Sequence, residues 1–553
     1  MPSLARSRLV RDVLLVFLGA VSMHFVTTLF HPFDDLNPTW TLQSYHHEEI
    51  VIDPPPYGEH DNNKKHDNDN PVLDHDNRKG DKPPSPLRTA VTPVDVLTTI
   101  PETELVHHAP GWTIFKNLYM SNGTFYVVSD KPRSEFPELL YILSVAIPAL
   151  NTPENIQARL PTEQQMDFIG TKNALRRWGP VRPGEKNRIW SITGSTWFFN
   201  DPLQFLDHYY HFVAELLFGT WAFWTGSFNA TIDTKTWTSS APPIDRAIFA
   251  NNPPEGIRDK PGFNSYFLRS AFSSLTVESE RDWADRIFTT INGDRAYYLD
   301  TVLIADRSAA FKGKLCGATS HRIAAEAYEP LWDDGRLQKE WWEPVRREVL
   351  RFAGVEERTM DLGIEIERAW EEEKEKAVKA LGGNQDALSV QIPIAKEKTV
   401  VTYISRQAAR RHLIREDHQL LVASLQEMTA RKGYELIIIE AEKLSKDEQL
   451  GIMSRTTVLV GVHGNGLSHV LWLTPSRYLT VVEIFFPGGF THDYEWTTRA
   501  MRGRHFAIWN DTYHTYPDTP GVAYPEGFQG TSIPVYGPMV AKVIEDRLDG
   551  KLP

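Results

Sequence analysis

One cysteine, Cys316, stands among 553 residues. The chain can therefore close no intramolecular disulfide and build no cysteine-based zinc site. Positive charge is also in deficit: 59 Lys and Arg face 72 Asp and Glu, a formal net charge of −13. No long basic tract appears, so the cationic footprint of a nucleic-acid protein is missing. No internal repeat is found. What is present is ordinary globular material, 41% apolar and 24% charged, which excludes a wholly disordered or fibrous protein. The 16 Trp, 19 Tyr and 27 Phe are enough for substantial cores and for stacking surfaces. The length fits three to four ordinary domains, or one two-lobed enzyme with appendages.

Residues 1–12 read as a cytosolic tail. Val13 to Phe30 carries no formal charge over 18 residues, close to the shortest helix that spans a bilayer. Arg6, Arg8 and Arg11 precede it and Asp34 and Asp35 follow, which places the N-terminus in the cytosol and the body across the membrane. A cleaved signal peptide ending near Ala20-Val21-Ser22 is the alternative, and it exports the body equally. The sequons at Asn122, Asn229 and Asn510 agree with a secretory-pathway lumen. Residues 31–103, with their His, Asn, Asp and Pro clusters, have too little apolar material to order and read as a flexible stem.

The folded body divides into a lobe over 104–320, a charged helical connection or insertion over 321–398, and a lobe over 399–553. In the first, Thr124 to Val128, Ile189 to Thr193, Arg246 to Asn251 and Tyr297 to Ala305 read as strands, with a helical pattern from Phe205 to Trp224. Glu365 to Leu381 is a charged helix stopped by Gly382-Gly383-Asn384, and no chemistry is assigned to it. The last third alternates regularly. Strands at Thr399 to Ile404, Glu435 to Glu440, Val458 to Val462, Tyr478 to Phe485 and His505 to Ile508 are separated by helical stretches, the pattern of a covered parallel sheet. The predicted class is α/β, and this lobe is Rossmann-like.

Ligands of such sheets sit beyond the carboxyl ends of the strands. Three loops leave those ends: Ser405-Arg406 with Arg410 and Arg411, His463-Gly464-Asn465-Gly466, and Pro487-Gly488-Gly489 beyond Glu483. Gly464 and Gly466 allow close backbone approach before a helix whose free N–H groups favour phosphate. Arg406 can add a charge-assisted bond to the same anion. The turn is neither GxGxxG nor a Walker loop, and a tight turn without a ligand is the plain alternative.

Gly461-Val462-His463-Gly464-Asn465-Gly466-Leu467-Ser468-His469, with Leu471-Trp472-Leu473-Thr474-Pro475, resembles the signature of glycosyltransferase family 61. Tyr403-Ile404-Ser405-Arg406 with Arg410-Arg411 resembles its Ile-Ser-Arg element, and Asp207-His208-Tyr209-Tyr210-His211-Phe212-Val213-Ala214-Glu215 resembles its N-terminal Tyr-His-Phe/Trp…Glu segment. Members often carry Ala or Ser in place of Asn465 and Asn in place of His469. The resemblance implies a GT-B architecture of two Rossmann-like lobes, a nucleotide-sugar donor on the C-terminal lobe and an acceptor on the N-terminal one. It further implies inversion at the anomeric centre without a metal or other cofactor.

Inversion needs a base for the acceptor hydroxyl. On a helix, Asp207, His211 and Glu215 fall at i, i+4 and i+8, with His211 as base and Asp207 or Glu215 orienting it. A packed histidine at the lobe interface is the alternative. Asp207-His208-Tyr209 lacks the second carboxylate of a metal-binding DxD. For the donor, Arg406, Arg410, His463, Gly464, Asn465 and Gly466 are expected at phosphate, Glu483 at the ribose, and Asp493 with Tyr494 at the sugar. The function expected is transfer of GlcNAc or xylose from a UDP-sugar to a glycan or protein hydroxyl. That places a single-pass type II protein in the endoplasmic reticulum or Golgi membrane, with no nucleic-acid partner. The rival readings are a non-catalytic sugar-binding scaffold on a decayed transferase fold, and a glycoside hydrolase with paired carboxyls.

Overall fold

The computed structural model describes residues 95–380, 399–530 and 532–553. The expected membrane span, most of the expected stem and the helix stop at Gly382-Gly383-Asn384 lie outside the described residues. Within them, no helix is long and apolar enough to cross a membrane. The end of the expected stem is corrected: Val96 is buried beside Trp178 and Tyr119, Asn187 Nδ2 donates to its carbonyl at 3.0 Å, and the Tyr119 hydroxyl donates to the Pro101 carbonyl at 2.8 Å. Val96 and Ile100 supply the apolar contact that holds this end in place.

The N-terminal lobe is built on an eight-stranded mixed sheet. Its strands are β1 (Glu104–Ala109), β2 (Trp112–Ser121), β3 (Thr124–Val128), β4 (Met166–Ile169) and β5 (Ile189–Phe199). A two-residue hairpin, β6 (Ile232–Asp233) and β7 (Thr238–Ser239), stands apart. The sheet continues with β8 (Arg246–Phe249), β9 (Thr276–Glu278) and β10 (Ala296–Ala305). The order is β4-β3-β2-β10-β5-β8-β9, with β1 on β2. From β10 to β9 all neighbours are parallel, whereas β2 runs antiparallel to β1, β3 and β10. The lobe is therefore a mixed sheet and departs from the all-parallel Rossmann pattern.

The C-terminal sheet follows the expected alternation. It comprises β11 (Val400–Ile404), β12 (Glu435–Ile439), β13 (Val458–Val462), β14 (Thr480–Ile484), β15 (Arg504–Trp509) and β16 (Thr512–His514). The order is β12-β11-β13-β14-β15-β16, parallel except for the last strand. All residues of β11, β13 and β14 are buried, as a sheet covered on both faces requires. The helix Arg415–Lys432 stops at Gly433, whose φ of 73° a side chain rarely tolerates. The helix Lys446–Met453 starts on a capping box made by Ser445 and Glu448. The strand order reverses direction between β11 and β13, which opens a crevice at their carboxyl ends.

The segment expected as a connection or insertion is a structural wedge. Trp342 Nε1 donates to the Leu471 carbonyl at 3.1 Å, and the fully buried Arg346 donates through Nε to the Leu473 carbonyl at 3.0 Å. Trp496 Nε1 donates to Glu329 Oε1 at 2.8 Å. One continuous apolar cluster thus runs from Phe218 and Phe267 through Trp342 to Trp472, and Trp472 Nε1 donates to the Tyr209 hydroxyl at 2.8 Å.

Trp472→Ala removes a buried indole of this seam together with its hydrogen bond. The expected cost is about 3–5 kcal/mol, read as a lowered urea midpoint; a midpoint within error of the parent would show the lobes do not depend on this contact.

Candidate active site

The crevice between β11 and β13 brings together the first two of the three predicted loops. Arg406, just past β11, donates from Nη1 to the His463 carbonyl at 2.8 Å. Gly464 makes that path possible: its φ is 151°, and a Cβ there would meet Arg406 Nη1 at 1.7 Å. The space expected for a ligand at Gly464 is thus filled by the guanidinium. At Gly466 a Cβ would make only ordinary contacts with Ile404. The helix that follows, Asn465–Trp472, is wound as a tight 3₁₀ helix.

Asn465 holds the two lobes together. Its Oδ1 accepts from the Tyr210 backbone N–H at 3.1 Å and from Ser468 Oγ at 3.3 Å. Opposite it, the helical stretch Tyr210–Leu217 is wound as a π-helix and runs directly into the α-helix Phe218–Ser227. Such widened turns occur often at functional sites. His211 Nδ1 meets Glu215 Oε2 at 2.8 Å, while about a third of the His211 side chain remains exposed. With Nδ1 committed to Glu215, Nε2 is the ring atom left for an incoming hydroxyl.

The expected third member of that face is corrected. The chain breaks at Asp207, which caps the short helix Leu203–Leu206 and is exposed. The helix bearing His211 starts after it, so the i, i+4, i+8 ladder shortens to His211 and Glu215. The second carboxylate comes instead from Asp201, just past β5. Arg307, past β10, donates from Nε to Asp201 Oδ2 at 2.8 Å and from Nη1 to Glu215 Oε2. Arg307, Asp201 and Glu215 are all buried. Burial alone would raise the Glu215 pKa, but Arg307, His211 and Arg322 outweigh it and hold the carboxyl below its ordinary range. Glu215 therefore stays ionised behind His211.

Glu483, expected at a ribose, is also corrected. It is fully buried, with Oε1 2.5 Å from His463 Nδ1 and Oε2 2.7 Å from His505 Nε2. Burial, reinforced by Asp493 and Glu495, pushes its pKa well above the usual range. Burial, with Arg411 and Arg406 nearby, pushes His463 well below its own. The pair is uncharged in total and anchors the turn from within. His463 stacks on Phe485 with centroids 5.1 Å apart. Asp493 pairs with Arg322, and the Tyr210 hydroxyl donates to the Asp493 carbonyl at 3.1 Å. Tyr494 lies 5.2 Å from the Tyr210 ring and 5.8 Å from that of His463.

Arg410 donates from Nη2 to Gln529 Oε1 at 2.5 Å on the outer rim. Arg411 sits deeper. Its Nη1 is buried without a hydrogen-bond partner, and burial with Arg406 close by pushes its pKa down to about 10. Burial lowers that of Arg406 too, with Arg410 adding to it. Among the described residues, neither Arg406 nor Arg411 pairs with a carboxylate. Sequence reading missed Asp201, Arg307 and Arg322 as parts of the site. The signal available was position alone: Asp201 and Arg307 follow strand ends, and Arg322 begins the wedge. The sequon residues Asn122 and Asn229 are exposed, while Asn510 is half-buried; all three occupy left-handed turns. Asn229 Oδ1 accepts from Arg336 Nε at 2.9 Å. Among the described residues no group of three or more His, Cys, Asp or Glu is placed to hold a metal ion.

The α/β fold thus places a histidine–carboxylate pair and two arginines without carboxylate partners around a strand-end crevice. The family model described as Glycosyltransferase 61 matches residues 209–482, which span both walls. Over those residues the chain is similar to glycosyltransferase family 61. A relative, the EGF domain-specific O-linked N-acetylglucosamine transferase of Drosophila melanogaster, is 31% identical over 140 residues. That match covers 25% of this chain and 25% of the relative, so the alignment spans about a quarter of that protein's length.

His469, on the turn's helix, yields a pH prediction. It is buried, its Nε2 lies 3.0 Å from Gln449 Oε1, and burial pushes its pKa down to about 4. Below about pH 6.5 the unfolded chain gains a proton the folded one refuses, so the stability present above that pH is lost as pH falls toward 4. Between about pH 7 and 4.5, His469→Asn is expected to lose ~2–3 kcal/mol less than the parent. Parallel urea titrations check this; equal losses would mean His469 titrates normally.

Proposed function

We propose that the protein is an inverting, metal-independent glycosyltransferase of GT-B type that moves a sugar from a UDP-sugar to a hydroxyl of a glycan or protein. The observation that carries the reading is Arg406 and Arg411, without carboxylate partners, across the crevice from the His211–Glu215 pair. GlcNAc and xylose are the proposed sugars, and the name of the Drosophila relative favours GlcNAc. The acceptor hydroxyl loses its proton to His211 Nε2 as its oxygen attacks the anomeric carbon. Glu215, ionised and held by Arg307, stabilises the imidazolium that forms. The bond from the anomeric carbon to the diphosphate oxygen breaks, and its electron pair leaves with UDP. Arg406 and Arg411 receive that charge from fixed positions, where preorganised donors are most effective.

Asn465, Gly464 and His463 serve this site by shaping it. Asn465 sets the spacing of the lobes, Gly464 lets Arg406 through, and His463 with Glu483 fixes the turn. Asp493 and Tyr494 line the side of the crevice where the sugar would lie. Arg410 extends the cationic rim. Within the secretory pathway, with Val13 to Phe30 as an anchor, the body would face the lumen and meet glycoprotein acceptors; the three sequons support this compartment.

UDP release by the full-length protein, screened over UDP-sugars with and without EDTA, tests the reading. One donor should be turned over regardless of EDTA. His211→Ala should lower kcat by about 10²–10⁴-fold with little change in donor KM. Arg406→Ala should weaken donor binding by about tenfold or more. Folded protein that neither binds nor hydrolyses any UDP-sugar would leave a sugar-binding scaffold. Loss of turnover in EDTA would overturn the metal-independent mechanism.

A further inference from the structure

The far side of the C-terminal lobe holds a second feature. A cavity of about 1020 Å³ opens at the amino ends of β14 and β15, against the helix Leu362–Ala380. The proposed donor crevice lies at the carboxyl ends of the same sheet, a strand length of about 16 Å away. No residue of the cavity wall belongs to the machinery described above.

The wall is cationic in a particular way. Arg477 is neutralised by Glu367, 2.8 Å from its Nη2, with Glu371 at 3.6 Å. Arg347 is likewise held by Glu343, Glu357 and Asp361. Arg502, Arg504 and Arg547 line the same cavity, and among the described residues none of them pairs with a carboxylate. Arg547 is 8% exposed and donates from Nη2 to the Arg477 carbonyl, but its Nε is buried with no hydrogen-bond partner. Arg504 donates to the Tyr516 carbonyl at 2.8 Å. A buried, incompletely bonded guanidinium beside two further uncompensated ones is costly for the protein alone and favourable once an oxyanion arrives.

The same wall carries two half-buried indoles. The Arg477 guanidinium lies 3.3 Å from the Trp370 ring centroid, and that of Arg347 lies 4.0 Å from Trp237. Guanidinium groups on these rings hold them in place, and the volume far exceeds the room a bare inorganic ion fills. Rings beside unpaired arginines match the apolar faces and acidic groups of a charged sugar.

We propose that this cavity is a second binding site, for an acidic saccharide whose carboxylate or sulfate is held by Arg547, Arg504 and Arg502 and whose ring lies against Trp237 and Trp370. The site is independent of the donor crevice and of the transfer reaction. It is suited to retaining a charged stretch of glycan remote from the reacting centre.

Binding is measured directly by calorimetry on the full-length protein, using chondroitin 6-sulfate disaccharide, lactose and sodium sulfate as probes. The acidic disaccharide should bind with Kd below about 1 mM, and lactose and sodium sulfate at least about tenfold more weakly. Arg547→Gln and Arg502→Glu should each weaken the disaccharide by about tenfold or more. Arg502 is exposed, so its variant tests the site even if the buried Arg547 variant fails to fold. Arg406→Ala should leave this binding unchanged whether or not UDP-sugar is turned over, which separates the two sites. Sodium sulfate binding as tightly as the disaccharide would reduce the site to an ion site and overturn the saccharide assignment. No binding, or binding indifferent to Arg502→Glu, would overturn the proposal.

Discussion

The buried bridge from Asp201 through Arg307 to Glu215 is the contact on which the N-terminal wall of the site depends. It joins the exits of β5 and β10 to the helix that carries His211. An isolated charge in that position would be strongly disfavoured. Each of the three is tolerable because the others are present, and the Asp201 carboxylate also accepts from the Arg307 backbone N–H at 3.0 Å. Glu215 further accepts from the Ile323 N–H at 3.3 Å, where the wedge of helices begins. The charge that orients His211 is therefore set by four chain segments far apart in sequence.

The opposite wall follows a different rule. The order of strands β12-β11-β13 opens a crevice, and the turn at Gly464 lets Arg406 reach across it to the His463 carbonyl. Specific contacts join the walls, among them Tyr210 N–H to Asn465, the Tyr210 hydroxyl to the Asp493 carbonyl, and Trp472 to the Tyr209 hydroxyl. All three involve residues at or next to the helix bearing His211 or the turn bearing His463. The spacing of His211 and the arginines is thus fixed on both sides of the crevice.

This division explains what could be read in the sequence. The C-terminal sheet was legible because buried parallel strands are short β-branched runs separated by polar helical stretches; Val458–Val462 matches to the residue. The pair His211 and Glu215 was legible because helical spacing is local. Asp207 misled because it sits at the right interval, and nothing local announces that the helix begins only after it. Glu483 misled because a carboxylate at a strand end looks the same whether it faces a ligand or two histidines. Asp201, Arg307 and Arg322 were not legible at all, since buried ion networks join distant segments and leave no period. The mixed N-terminal sheet was hidden for a related reason, as antiparallel and parallel neighbours share the same strand composition.

Charge balance joins the two walls into one argument. Glu483 is kept uncharged by its burial and Asp493 is matched by Arg322, so the carboxylates nearest the turn leave Arg406 and Arg411 uncompensated. Both arginines are partly withdrawn from water in the crevice, and Arg406 raises the cost of charging Arg411. That cost is relieved by an anion and is largest when the crevice is empty. Across from them the Glu215 carboxylate is shielded behind His211 and matched by Arg307. An incoming dianion therefore meets positive charge on one side and a polarised imidazole on the other, with no bare carboxylate of the relay to repel it. Such an asymmetric distribution suits the transfer proposed above, in which a proton departs toward the histidine while negative charge develops toward the arginines.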